Sequence, residues 1–387
     1  MHLLLTIAAI YTASLAATLQ SYPSATDVNP FLGKEYYANS EYAAKLDQTI
    51  AAFNAKNDGL NAARARSVKN IGTFVWITSV SSISVITSTV EEARAIQEKT
   101  GKPQIVELVL YDLPNRDCSG GHSGGEFDLT NNGLALYKSE FIDPYAKALE
   151  AAPDLTFAVI LEPDSLGNLI TNQEIPYCQA ASPGYEEGLA YAIAKLQLPN
   201  VALYLDAAHG GWLGWDDNLG PAAAQFAKVV ALAKNFTSKD APVPKIRGFS
   251  TDVSNFNPYI ANPRATYTEY SNSYDELHYA ESLAPYLTNK SLPAHFIIDQ
   301  GRSGLQNTRT DWGEWCNVAA GFGIRPITQT NSSLVDSIVW AKPGGESDGA
   351  CGPMAQGKAA PSAGAWFEEY VENLVIYADP PLEPTYL

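Results

Sequence analysis

Seven short runs of apolar, largely β-branched residues punctuate the chain: IGTFVWITS (71–79), QIVELVLYD (104–112), TFAVILE (156–162), NVALYLDA (200–207), IRGFSTD (246–252), AHFIIDQ (294–300) and DSIVWAK (336–342). Their length and near-continuous hydrophobicity predict strands buried on both faces. Between them lie segments with helical spacing of apolar positions, among them STVEEARAIQEKTG, GYEEGLAYAIAKLQ, GPAAAQFAKVVALAKN and SYDELHYAESLAPYL. Strand and helix alternate, the signature of a parallel sheet with crossover helices. Seven such strands suit a closed or nearly closed α/β barrel better than an open doubly wound sheet, and no glycine-rich phosphate fingerprint follows the first of them. No Pro/Ser/Thr-rich linker or small Cys-rich module flanks the alternation, so one domain is expected from about residue 20 onward.

The polar positions add a second pattern, because most strands finish on an ionisable group. Asp112 and Asp117 follow the second, Glu162 and Asp164 the third, Asp206 the fourth, and Asp252, Asp299 and Lys342 the later ones. In a barrel these ends share one rim, where loops vary freely while the strands fix their positions. A single Asp before a helix reads equally as an N-cap, and Asp164 before SLGNL fits that reading; the set does not. Trp76, Trp212, Trp215, Trp312, Trp315 and Trp340 lie in or just after the same strand ends, with Trp340, inside a strand, best read as core. Flat aromatic faces stack on sugar rings while acids and bases bind hydroxyls, so a carboxylate-and-tryptophan cleft points to a glycoside hydrolase.

Composition narrows the partners. With 25 Lys plus Arg against 42 Asp plus Glu in 387 residues, the formal charge is -17. Such a chain repels phosphate and anionic lipid, which disfavours nucleic acid and membrane surfaces and suits a neutral substrate. The start, MHLLLTIAAIYTASLAA, reads as a signal peptide over residues 1–17, leaving a catalytic domain over 18–387, secretion and a monomer as expectations. Three sequons, at Asn235, Asn289 and Asn331, agree with export. Cys118, Cys178, Cys316 and Cys351 contain no CxxC pair and no neighbouring histidine cluster, which disfavours zinc or any other metal site. Two disulfides are expected, and pairing sequence neighbours is the simplest of the three connectivities.

Six ordered blocks carry a family resemblance: YDLPNRDC (111–118), LEPDSLGNLITN (161–172), YLDAAHGGWLGW (204–215), DQGRSGLQ (299–306), WGEWCNVAAGFGIRP (312–326) and VWAKPGGESDG (339–349). Together they closely resemble glycoside hydrolase family 6, the fungal cellobiohydrolase II group, over nearly the whole mature chain. The resemblance implies a distorted seven-stranded α/β barrel that hydrolyses β-1,4-glucosidic bonds of cellulose with inversion and without a cofactor. By the same resemblance Asp164 matches the general acid, Asp117 the carboxylate that raises its pKa and organises water, and Tyr111 the tyrosine crowding the distorted sugar. Asp348 matches one candidate base; a water chain ending on Asp117 is the other. Asp206, His209, Trp212, Trp215, Arg302, Trp315, Lys342 and Glu346 match substrate-binding positions, Trp76 an aromatic platform, and Ser123 a mobile serine over the substrate. The family disulfides match Cys118–Cys178 and Cys316–Cys351, bracing the loops that roof the site.

The chain also departs from the family pattern. Thr78 stands where an Asp is usual, Asp252 where Asn is usual and Ala208 where Gly is usual. Only Gly349 and Ala350 separate Asp348 from Cys351, so one roof is expected to be short and the tunnel half open, with cellobiose the main product alongside endo cleavage. An endoglucanase of the same family is the alternative, and a non-catalytic glucan-binding protein is disfavoured because Asp117, Asp164 and Asp348 all remain. Gly121-His122-Ser123-Gly124-Gly125 fits the G-x-S-x-G pattern of serine esterases, but no strand immediately precedes it and more glycine follows.

Overall fold

The computed structural model describes residues 25–351 and 359–386; the segment read as a leader, residues 1–17, lies outside them. β1 (Glu35–Tyr36) and β2 (Val75–Ile77) both pair with β3 (Gln104–Leu110). The sheet then runs through β4 (Thr156–Leu161), β5 (Val201–Asp206), β6 (Gly248–Thr251), β7 (Phe296–Asp299) and β8 (Val335–Val339), every pair parallel. All seven predicted runs are therefore strands, β2 to β8, and β1 is a two-residue addition. Register aligns the C-terminal ends: Leu110 lies opposite Leu161, Leu161 opposite Leu205, Asp206 opposite Ser250 and Asp299 opposite Val339. Polar groups placed just beyond those positions are thereby delivered to one rim.

The apolar runs are continuous because both faces of the sheet are covered. Val106, Leu108, Leu110, Phe157, Val159 and Leu161 pack against the surrounding helices, while Ile105, Val109, Ala158 and Ile160 fill the interior of the curled sheet. Truncating a leucine or isoleucine among these to Ala would cost about 2–5 kcal/mol. Between β8 and β2 the seam is joined by the Phe74 N–H donating to the Trp340 carbonyl at 3.1 Å and the Trp76 indole N–H donating to the Ala341 carbonyl at 2.8 Å. No ladder spans this seam among the described residues, so the barrel is distorted and incompletely closed.

A second core lies outside the barrel. The helices Ser40–Ala55, Gly59–Val68 and Glu368–Ile376 pack around Phe322 and Trp340. Trp340 is fully buried and stacks on Phe322 with ring centroids 4.9 Å apart, in keeping with its reading as core. Asn39 caps the first helix by accepting from the Glu41 and Tyr42 N–H groups. That helix carries Tyr42 and Lys45 to the wall of the cleft described below.

Candidate active site

β4 ends on two acids that the fold treats differently. Glu162 and Asp164 flank Pro163, and both adopt left-handed backbone, with φ of 50° and 66°. That conformation is costly for Glu and persists only where the surroundings over-determine it. They do so at Glu162: Oε1 accepts from the Asp112 N–H at 3.0 Å and the Tyr137 hydroxyl at 2.9 Å, and Oε2 accepts from the Leu113 N–H at 3.2 Å. Burial nonetheless outweighs these bonds and pushes its pKa up to about 7. Glu162 is a strut between the ends of β3 and β4.

Asp164 faces the other way, into the cleft. Its backbone N–H donates to Asp206 Oδ2 at 2.9 Å, while its carboxyl takes no hydrogen bond from any described residue. Burial raises its pKa well above the ordinary carboxylate range, and Asp206, Asp117 and Asp348 add to the shift. Burial raises Asp206 too, but only to about 7, because its oxygens also accept from the Ala208 N–H at 3.0 Å and the Ser250 hydroxyl at 3.3 Å. The proton therefore rests on Asp164.

Two loops, each tied by a disulfide, stand over this acid; the bonds Cys118–Cys178 and Cys316–Cys351 pair sequence neighbours as expected. On the first, Asp117 Oδ2 accepts from the backbone N–H groups of His122 and Ser123, both at 2.6 Å, and from the Ser123 hydroxyl at 3.1 Å. Ser123 Oγ is also 3.0 Å from the Tyr111 hydroxyl. The turn needs glycine at 120, since a Cβ there would sit 2.4 Å from Asp117 Oδ1. On the second loop, Asp348 is clamped. Arg302 Nη1 donates to its two oxygens at 2.8 and 2.9 Å, and the Asn317 N–H donates to Oδ2 at 2.8 Å. The loops meet: the His122 and Trp315 rings lie 5.7 Å apart, and a Cβ on Gly349 would be 3.2 Å from that of His122.

A cleft of about 1080 Å³ runs across the strand ends. It is lined by Trp76, Tyr111, Asp117, Ser123, Asp164, His209, Trp212, Trp215, Trp315, Lys342, Glu346 and Asp348, twelve of the fourteen residues to which the family resemblance gave catalytic or substrate-binding roles. The other two, Asp206 and Arg302, lie behind the lining. Asp206, 2% exposed, spends its oxygens on the Asp164 and Ala208 backbone, and Arg302, 1% exposed, spends its guanidinium on Asp348 and the Ser254 carbonyl. Neither lines the cleft, because a buried charge must be satisfied where it lies. Both position the groups that do.

Lys342 is buried beside Trp76, its ammonium 5.2 Å from the ring centroid, and burial lowers its pKa. Glu346 is paired with Lys45 at 2.8 Å. His209 is pushed down to about 3 by burial and by the Arg309 guanidinium. Ala208, where the family resemblance expects Gly, has φ of 52°, a backbone that Gly adopts without strain. Residues 352–358, next to the short second roof, lie outside the described residues.

Sequence reasoning missed several contributors. Arg116 donates to the Ser123 carbonyl at 2.8 Å, the Thr78 carbonyl at 2.9 Å, the Tyr111 carbonyl and Asp112 Oδ1, and lies 4.4 Å over the Tyr111 ring. It sits inside the YDLPNRDC block, so a signal existed. Trp312, by contrast, was among the tryptophans singled out at the strand ends, and it lines the wall with its ring pressed on Gly211. Lys45 comes from a helix far away in sequence, and nothing near it marked it.

Comparison with known proteins agrees with this geometry. Residues 31–378 match the profile of Glycosyl hydrolases family 6. The chain is 51% identical to the 1,4-beta-D-glucan cellobiohydrolase CEL6B of Podospora anserina, an alignment covering 97% of this chain and 89% of that protein. It is 47% identical to Endoglucanase-6B of Humicola insolens, over 89% of this chain and 96% of that one. Among solved structures, the family 6 enzyme CcCel6C of Coprinopsis cinerea superposes with a TM-score of 0.87 at 48% identity, covering 93% of this chain and all of the other.

Proposed function

From the premise that the chain belongs to glycosyl hydrolase family 6 and is a glycoside hydrolase, we propose that it cleaves β-1,4-glucosidic bonds of cellulose and cello-oligosaccharides with inversion. The observation that carries the reading is Asp164: a cleft-facing acid at a strand end whose carboxyl takes no hydrogen bond from the described residues, and which burial, with Asp206, Asp117 and Asp348 adding to the shift, keeps protonated. The sugar chain crosses the strand ends from Trp76 on β2, past Tyr111 after β3 and Asp164 after β4, to His209, Trp212 and Trp215 after β5. Tryptophan faces hold the rings, while Lys342, Glu346, Trp315 and Ser123 contact hydroxyls and edges.

Asp164 gives its proton to the glycosidic oxygen as the bond from that oxygen to C1 breaks. A water attacks C1 from the opposite face, so the new hemiacetal is the α-anomer. The proton leaving that water is relayed to Asp117, whose Oδ1 has no hydrogen-bond partner among the described residues, whereas Oδ2 takes three. Asp348 is the poorer acceptor, because Arg302 and the Asn317 N–H already engage both of its oxygens. It acts instead as a fixed anion near the developing positive charge.

The His122 contact with Trp315 and Gly349 supports a cleft enclosed at the catalytic point, and hence release of cellobiose from non-reducing chain ends as the main activity. The likeness to both a cellobiohydrolase and an endoglucanase keeps internal cleavage as the second reading. Secretion accords with the apolar leader, the disulfides and the three exposed sequon asparagines. Among the described residues no helix is long and apolar enough to cross a membrane. Product lengths from cellohexaose, followed beside the viscosity of carboxymethylcellulose, test the proposal. Cellobiose with a slow viscosity loss is expected; a rapid fall with mixed products would shift the assignment to an endoglucanase, and no products at all would overturn it.

A further inference from the structure

His209 lines the cleft, and its ring is held from behind by a relay that leaves it one protonation state. Arg309, 5% exposed, donates through one guanidinium nitrogen to Asn255 Oδ1 at 2.9 Å and through the other to Asn257 Oδ1. A guanidinium can only donate, so the Asn257 amide must turn its oxygen towards Arg309 and its nitrogen away. That nitrogen has two hydrogens. One goes to Glu276 Oε1 at 2.7 Å, which also accepts from the Gly210 N–H at 2.9 Å, and the other points at His209 Nδ1 at 3.4 Å. Asn257 is 1% exposed and has no room to flip without setting N–H against N–H.

From this geometry we infer that Arg309 and Asn257 are positioning residues that fix His209 as a neutral imidazole with the proton on Nε2, a permanent hydrogen-bond donor to a sugar oxygen. An Nδ1–H, whether in the other tautomer or in imidazolium, would face the Asn257 amide hydrogens. The buried ionisable groups on the elements packed about the ring are Arg309 on the loop after β7, Asp206 on β5, Asp252 after β6 and Glu276 at the start of the helix Glu276–Asn289. Of these only Arg309 is a cation, and none of its contacts among the described residues is an ion pair. The arrangement serves the proposed chemistry, because a cationic imidazolium in the same cleft would favour ionised Asp164 and so weaken the acid. The inference rests on the reading that His209 meets the sugar.

The test is long-range ¹H–¹⁵N correlation spectroscopy of substrate-free protein labelled at histidine, with the His209 signals identified by their loss in His209→Gln. From about pH 7 down to about pH 4.5, across the ordinary histidine range, Nδ1 is expected to stay unprotonated and Nε2 protonated. Asn257→Asp should place a carboxylate against Nδ1, protonate it, raise the pKa of His209 by about one to three pH units, and make KM for cellotetraose pH-dependent. Arg309→Gln should release the amide and mix the tautomers, with Arg309→Lys restoring one; this pair decides the matter if Asn257→Asp does not fold. A wild-type ring protonated on Nδ1, or tautomers unmoved by these substitutions, overturns the inference while leaving hydrolysis untouched. An unchanged KM in His209→Gln would instead overturn the sugar contact on which it rests.

Discussion

Asp117 and Asp348 sit on facing loops, one beside Cys118 and the other close to Cys351, yet their carboxylates are held by different chemistry. Neutral donors hold Asp117: two backbone N–H groups and a serine hydroxyl, all on Oδ2. Asp348 is held by a buried guanidinium and an amide that together reach both oxygens. The first arrangement leaves an oxygen free to take a proton, and the second fixes an anion. Asp164 lines the same cleft, and burial raises its pKa, with Asp206, Asp117 and Asp348 adding to the shift. That difference between the two loops is what the proposed reaction asks for, one rim able to take a proton and the other held as an anion, since it moves one proton to the leaving group and builds positive charge on the sugar.

The largest effect should come from removing the exchanged proton. Asp164→Ala is expected to lower turnover on cello-oligosaccharides by about 10²–10⁴-fold, the usual contribution of a positioned acid, while calorimetry still shows binding. Near wild-type turnover would dissolve the distinction between the rims. The charged rim is broken instead by Arg302→Met, which strands a carboxylate whose side chain is 5% exposed. Loss of about 3–5 kcal/mol in denaturant unfolding is expected, and unchanged stability would mean that the clamp is idle.

Three acids buried behind the cleft make a pH prediction. Burial raises Glu162, Asp206 and Glu276 to about 7. Folded protein therefore binds these protons more tightly than unfolded chain, and the stability they contribute is present at acid pH and declines as pH rises from about 4 through about 7. Melting temperatures should fall from the acid range to neutrality; a rise over that window would contradict the assignment. Contact between the rims is the weakest element. His122→Gly should remove the aromatic contact with Trp315, about 0.5–1.5 kcal/mol for such a pair, and raise internal cleavage of carboxymethylcellulose by about two- to tenfold. No change would show that the loops enclose the chain without His122.

Much of this was legible in the chain because strands that are apolar throughout announce burial on both faces, and acids at their ends announce a rim. All seven runs formed strands, and the ordered blocks placed Asp117, Asp164 and Asp348 around one cleft. What the pattern did not carry was direction. Glu162 and Asp164 are two positions apart, and only the fold shows that one points to Asp112, Leu113 and Tyr137 while the other points to solvent in the cleft. For Asp206 and Arg302, which the resemblance marked as substrate contacts, the sequence did not show the bonds to neighbouring backbone and to Asp348 that the fold gives them. The helix Ser40–Ala55 and its Lys45 were invisible as site elements, since their partner Glu346 is 301 residues away.

The central claim, protonation by Asp164 on one side of the sugar and attack by water from the other, is tested most directly by the configuration of the first product. Cellohexaose cleavage followed by ¹H NMR, faster than mutarotation, should show α-cellobiose accumulating before the β-anomer appears. Initial β-cellobiose would mean retention and would contradict the account.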